Sequence, residues 1–396
     1  MSTSPGLSGN TQDGRANLDD WRGVGDMVAI TTEQVATVVE GMHTAIVDRW
    51  FGIGGPRVEP ALRLANGMTA LIYKTVRFGG LAVGATISLA SELASDHVSL
   101  RPVWDTPKGR YVQSIFNGVL GDRLEDDESP LRIELGLRDL DGRSISPYRT
   151  SLSRAFPNPT GRLSVLVHGL GETERCWRSD HSSTLAGGLK AEGFSLLRLR
   201  YNTGRAVADN GSDLADLLEA IRLEWPVPVE EFALIGHSMG GLVAQSAVAA
   251  ARSFGYRWAD LTTHLVAIGT PHLGSPIEKG VEMIGKGLGL LRETRPLAVF
   301  LQTRSAGIKD LRHGVDNRPE GVQYHAVAGA VTTDPAHPLG VLVGDLVVRV
   351  GSAIGRASQH RVVASNVLVV GGRRHADLLH DPEVISRTRE WLAQPS

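Results

Sequence analysis

Phe232-Ala233-Leu234-Ile235-Gly236-His237-Ser238-Met239-Gly240-Gly241-Leu242-Val243-Ala244 is the stretch that decides the fold. Its first four residues are uniformly apolar, as in a strand buried on both faces, and its last five begin a helix of small residues that continues to Ala251. Between them stands a serine with glycine two places before and two places after it. A serine held on a strained strand-to-helix turn needs those glycines, because the neighbouring backbone leaves no room for side chains. The helix N-terminus behind it stabilises negative charge. In a chain with 46 glycines the G-x-S-x-G pattern alone is weak. The strand leading in and the helix leading out give it weight over a plain turn with an inert serine.

Reading outward, strand patterns at 163–168, 194–200, 232–236, 264–268, 323–329 and 366–370 alternate with helical ones, which predicts an α/β fold with a mainly parallel sheet covered on both faces. Leu214, Leu217, Leu218, Ile221 and Trp225 form one helix stripe, and Asp381-Pro382-Glu383 reads as the N-cap and first turn of a closing helix. Before the sheet, Leu131, Ile133, Leu135 and Leu137 alternate with polar residues or glycine as a half-buried strand. Thr31 with Gln34 marks a capping box, and apolar residues recur at helical spacing at 35–50, 58–76 and 112–119, the last through Val112, Ile115, Phe116 and Val119. The expected domains are a disordered tail at 1–27, a helical region at 28–128 and a catalytic domain at 129–396. A helical cap is expected at 277–314, its apolar face carried by Val281, Ile284, Leu288 and Leu291.

The serine suggests acyl transfer, and acyl transfer needs further parts. A tetrahedral oxyanion needs two donors, expected to be the Met239 N–H and the Leu170 N–H of His168-Gly169-Leu170-Gly171. Gly169 and Gly171 do not begin a dinucleotide fingerprint, since no third glycine follows at the required spacing. An acid and a histidine must follow in that order. Asp345, in Gly344-Asp345-Leu346-Val347-Val348, is the chosen acid, with Asp334 and Asp310 as rivals. His375, beyond the flexible Gly371-Gly372, is the chosen base, with His380 as rival. His168, Trp177, Leu288 and Leu291 are candidate substrate-binding residues. Trp177 either lines an acyl site or anchors a loop, and His272 is expected to shape the pocket from its loop.

Together the HG-x-G turn, GHSMGG, Gly269-Thr270-Pro271-His272-Leu273-Gly274-Ser275-Pro276, the Gly344–Val348 segment, the closing His375-Ala376-Asp377-Leu378-Leu379, and Tyr201-Asn202-Thr203-Gly204-Arg205 with Asn210-Gly211 resemble the lipase and esterase branch of the α/β-hydrolases. The nearest resemblance is to bacterial hydrolases similar to the catalytic domain of GPI inositol-deacylases, over Gly161 to about Trp391. Arg349 and Arg374 depart from the family pattern. The resemblance implies an α/β-hydrolase fold and a cofactor-free serine hydrolase of carboxylic esters with lipid-like or apolar acyl groups. An acyltransferase using the same triad and a catalytically silent binding module are the alternatives.

Composition narrows the field. With 41 Lys plus Arg against 43 Asp plus Glu, the net charge of −2 offers no footprint for nucleic acid. One cysteine, Cys176, makes no internal disulfide and no thiolate metal site, which suits a cytoplasmic protein. Residues 1–27 lack the basic start and apolar run of a secretion signal, so Sec export is not expected. The apolar window at 78–91 is too short to span a membrane and is expected in the core or docked on a surface, which leaves peripheral membrane contact open. The expected partner is a small-molecule or lipid ester, with no metal. The oligomeric state is not legible.

Overall fold

The computed structural model describes residues 106–129, 131–177, 181–273, 305–311, 321–338, 344–355 and 364–394, together with the isolated positions Thr32, Glu40, Lys74, Phe78, Gly79, Leu81 and Ala82. The tail at 1–27, Leu288, Leu291 and most of the expected cap lie outside the described residues. Among the described residues no helix is long and apolar enough to cross a membrane. The chain divides into two compact units. One comprises Met1–Gln113, Leu124–Arg132 and Gly280–Arg304. The other comprises Ser114–Arg123, Ile133–Lys279 and Ser305–Ser396 and holds the sheet.

Eight strands are present among the described residues: β1 (Gly136–Arg138), β2 (Ser144–Ile145), β3 (Arg162–Val167), β4 (Ser195–Arg200), β5 (Glu231–His237), β6 (Thr262–Ile268), β7 (Gln323–Ala330) and β8 (Asn366–Gly371). Their order is β2-β1-β4-β3-β5-β6-β7-β8. The pairs from β4 to β8 are parallel, and β1 joins β4 and β2 antiparallel. This is the α/β-hydrolase architecture, and the six parallel strands coincide with the apolar runs of the sequence. β3 lies between β4 and β5, so successive connections leave it in opposite directions. The crevice at the carboxyl ends of such strands is where open α/β sheets bind ligands.

In chain order the α-helices are α1 (Pro107–Asp126), α2 (Arg149–Ala155), α3 (Leu185–Ala191), α4 (Val207–Glu224), α5 (Met239–Phe254), α6 (Ala306–Asp310), α7 (Val350–Ala353) and α8 (Pro382–Leu392). On one face of the sheet α4 and α5 bury Leu214, Leu218, Ile221, Leu242, Val243 and Val248 against Val165, Leu234 and Leu265. On the other, α3 and α8 bury Leu185, Leu189, Val384 and Trp391 against Leu166, Ile235 and Val266. Asp381 caps α8 as expected, accepting from Glu383 N (2.8 Å) and Val384 N (3.1 Å).

The helix expected from the spacing of Val112, Ile115, Phe116 and Val119 is α1, and of these Val112, Ile115 and Val119 are exposed. Ser114, Asn117, Gly118 and Gly121 are turned inward instead. These small and polar residues meet backbone: a Cβ on Gly121 would overlap the Asn202 side chain, and Asn117 Oδ1 accepts from Ile133 N at 2.9 Å. The alternation from Leu131 also points its apolar residues inward, with Leu131, Ile133 and Leu137 buried. Only Gly136–Arg138 pair as a strand, however. The Leu131 and Ile133 amides donate to the side chains of Ser129 and Asn117, which replace the ladder.

Candidate active site

Parallel register assembles the site. Val167 of β3 stands beside Gly236 of β5, and His237 of β5 beside Ile268 of β6. One or two residues further on, the turn at Gly169, the serine at 238 and the glycine at 269 therefore meet at the carboxyl ends of three adjacent strands.

Ser238 has φ 53° and ψ −124°, a left-handed conformation that a residue with a side chain adopts only under constraint, at a cost of roughly 1–3 kcal/mol. Its N–H donates to Ile268 O at 2.8 Å. The surrounding glycines are sterically required: a Cβ on Gly236 would overlap Gly241, one on Gly240 would overlap the Val167 carbonyl, and one on Gly169 would come within 3.0 Å of Ser238 Cβ. The serine is 9% exposed.

His375 opens a short 3-10 helix, His375–His380, after β8. Its ring lies over Gly269, where a Cβ would be 3.0 Å from Cε1, and its Nδ1 is 2.7 Å from Asp345 Oδ2. Nε2 is buried with no hydrogen-bond partner. Asp345 is fully fastened. Its Oδ1 accepts from Val347 N (3.0 Å) and Val348 N (2.8 Å), and its carbonyl accepts from His375 N (3.2 Å). Gly344 and Leu346 take positive φ to make this tight loop.

The rivals have other work. Asp310 accepts from Val207 N at the start of α4 (2.7 Å), Asp334 holds its own exposed turn through Ala336 N, and His380 is exposed. Arg349 and Arg374, the two departures from the family pattern, are also exposed, each preceding a helix.

Around the turn after β3, Gly171 takes φ 68° and its N–H donates to Thr203 Oγ1 at 3.1 Å. Tyr201 Oη donates to the His168 carbonyl at 2.7 Å, while Asn202 Nδ2 donates to Gly121 O at 2.9 Å. The Tyr201–Arg205 motif thus braces the turn. The amides of Leu170 and Met239 donate to no acceptor among the described residues. His168 does not line a substrate site as expected. It is wholly buried, stacked on Tyr201 with ring centroids 4.5 Å apart, and burial lowers its pKa so that the ring stays neutral. Trp177 is also buried. It packs with Leu166 and Leu185 and lines a cavity of about 600 Å³ with Cys176, Leu379 and His380, which neither Ser238 nor His375 borders.

Residues unremarked in the sequence complete the surroundings. Glu172 Oε2 accepts from Gly169 N (2.8 Å) and lies 3.0 Å from His237 Nδ1. The buried Glu174 carboxylate grips Arg200 through Nε (2.6 Å) and Nη2 (2.5 Å). His272, expected to shape the pocket from its loop, is itself buried, with Nδ1 3.2 Å from Ser352 O and Nε2 against the Tyr324 hydroxyl, which also accepts from Gln245 of α5. Among the described residues, no group of three or more His, Cys, Asp and Glu side chains could hold a metal ion.

Residues 201–285 match the family model described as a PGAP1-like alpha/beta domain, a span that holds the bracing motif, the serine turn and the loop after β6. No curated protein matches the chain. Among solved structures, the mature form of a Bacillus licheniformis lipase is 22% identical over 58% of this chain and 90% of its own, with a TM-score of 0.41. A Pyrococcus furiosus esterase is 15% identical over 59% and 81%, with a TM-score of 0.36. The RedJ thioesterase of Streptomyces coelicolor is 17% identical over 60% and 98%, with a TM-score of 0.33.

Proposed function

We propose that the chain is a serine hydrolase of carboxylic esters with apolar or lipid-like acyl groups. The observation that carries this reading is the strained Ser238 following His237, whose ring lies 4.9 Å from that of His375, an imidazole whose Nδ1 is bonded to a buried, fully fastened carboxylate and whose Nε2 is unpartnered. Such strain persists only where the surrounding structure over-determines it.

In this reading Ser238 Oγ adds to the acyl carbonyl while its proton passes to His375 Nε2. Asp345 accepts from Nδ1–H, fixes the tautomer and stabilises the imidazolium. The amides of Leu170 and Met239 take the oxyanion, aided by the N-terminus of α5. The tetrahedral intermediate collapses as the alkoxide leaves with the proton from His375. Water, deprotonated by the same nitrogen, then attacks the acyl-enzyme, and the carboxylic acid departs as the proton returns to Ser238.

The test is Ser238→Ala. It should abolish hydrolysis of p-nitrophenyl esters and labelling by a fluorophosphonate, with an unchanged thermal transition, because the substitution removes the nucleophile and little packing. Turnover by purified Ser238→Ala equal to wild type would end the proposal.

A further inference from the structure

The same crevice holds a second carboxylate–imidazole pair that the acyl-transfer steps do not use. Glu172 comes from the turn after β3 and His237 is the residue before the nucleophile. One oxygen of Glu172 serves two partners, the Gly169 amide at 2.8 Å and His237 Nδ1 at 3.0 Å. The other nitrogen of His237 is 3.4 Å from the carbonyl of His375, and the two imidazole rings lie 4.9 Å apart. Three segments thus meet on one pair: the oxyanion turn, the serine turn and the loop of the base.

We infer that Glu172 and His237 form a standing ion pair that positions these three segments, with His237 doubly protonated in the working enzyme. The inference rests on the hydrolase reading above. Its geometric basis is that both nitrogens of His237 face oxygen acceptors, a carboxylate and a carbonyl. A neutral imidazole has one N–H and one lone pair, so it would set a lone pair against one of those oxygens. Only the imidazolium satisfies both.

Electrostatics point the same way. Burial works against charge on His237, which is 1% exposed, but the adjacent Glu172 outweighs it and raises the pKa. Burial likewise opposes charge on Glu172, and the charge and hydrogen bond of His237 outweigh it, bringing its pKa down to about 2. Asp345, from the loop after β7, also acts on His237, and His168, at the end of β3, acts on Glu172; the His375 ring faces His237, and Tyr201 and Cys176 face Glu172. The pair and the nucleophile crowd the same glycine: a Cβ on Gly169 would lie 3.0 Å from Ser238 Cβ, 3.1 Å from Glu172 Oε2 and 3.4 Å from His237 Nδ1. Neither residue touches the reacting atoms in this account, so both are positioning residues and their loss should fall on kcat.

The test combines a direct reading of the charge with an isosteric change. In wild type, side-chain ¹⁵N spectra at about pH 8 should show both His237 nitrogens protonated. Glu172→Gln keeps an oxygen for both donors and removes the countercharge, so His237 should lose a proton near neutrality and His375 should lose its anchor. The expected result is a kcat about tenfold or more below wild type at about pH 8, KM within about twofold, and most of the loss recovered at about pH 6, since small displacements of catalytic groups act on turnover. A single protonated nitrogen on wild-type His237 overturns the inference. A Glu172→Gln loss that is equal at every pH, or no loss at all, also overturns it. If the variant does not fold, the wild-type spectrum decides. Failure of wild type to react with a fluorophosphonate would instead sink the hydrolase reading and leave the His237 spectrum as a separate result.

Discussion

His272 should make this protein acid-sensitive by an amount the structure sets. Burial lowers its pKa from 6.5 to about 4, and the ring is 1% exposed. Its partners require the neutral form, with Nδ1–H donating to Ser352 O and Nε2 accepting from the Tyr324 hydroxyl, whose oxygen is held by Gln245. As pH falls, the unfolded chain takes up this proton first, because its value is the higher of the two. The stabilisation is therefore complete above about pH 6.5 and is lost down to about pH 4. The interval from 6.5 to about 4, at 1.36 kcal/mol per pH unit, amounts to roughly 3 kcal/mol. Other buried histidines with lowered pKa values, His168 and His264, add to the total, so the assay is a difference. Urea unfolding of wild type and His272→Gln would be followed across this pH range. The variant should start less stable at neutral pH and lose roughly 3 kcal/mol less on acidification. Parallel loss in the two proteins would refute the assignment of a buried neutral imidazole.

Asp345→Asn should lower kcat by several orders of magnitude while Asp334→Asn stays near wild type in ester hydrolysis, because only the group bonded to the imidazole controls its tautomer. Comparable losses would move the acid elsewhere. Glu174→Gln should cost about 3–5 kcal/mol in denaturant unfolding, because it leaves the buried Arg200 guanidinium without its countercharge. Unchanged stability would show that the pair is replaceable.

What was legible in the sequence was what is encoded locally. The strand, serine and small-residue helix at 232–251 are contiguous, and each half constrains the other, so the turn and its strain follow from composition alone. Asp345 could be chosen because its own neighbours build the loop: Gly344 supplies a left-handed residue, and the Val347 and Val348 amides close on the carboxylate. The Glu172–His237 pair left no such mark. Its members are 65 positions apart and meet only because Val167 registers with Gly236 across two parallel strands. His168 misled for a related reason. A histidine opening a glycine turn looks available to a ligand, and only the stacked Tyr201, from the neighbouring strand's end, turns it inward. In α1 the apolar spacing marked the helix but not its buried residues, which include Ser114, Asn117, Gly118 and Gly121 beside Leu120 and Leu124.

The way α1 is used bears on how the chain could be shortened. Its segment Ser114–Arg123 is a structural part of the unit that holds the sheet. Asn117 satisfies the Ile133 amide, Gly118 O accepts from Ser305 Oγ, Asp122 accepts from Ala306 N, Gly121 O accepts from Asn202, and Ser114 Oγ donates to the Glu172 carbonyl. A fragment begun at the first strand would leave these partners open beneath the oxyanion turn. An expression boundary meant to isolate the sheet-bearing unit therefore belongs upstream of Ser114, before the helix begins at Pro107.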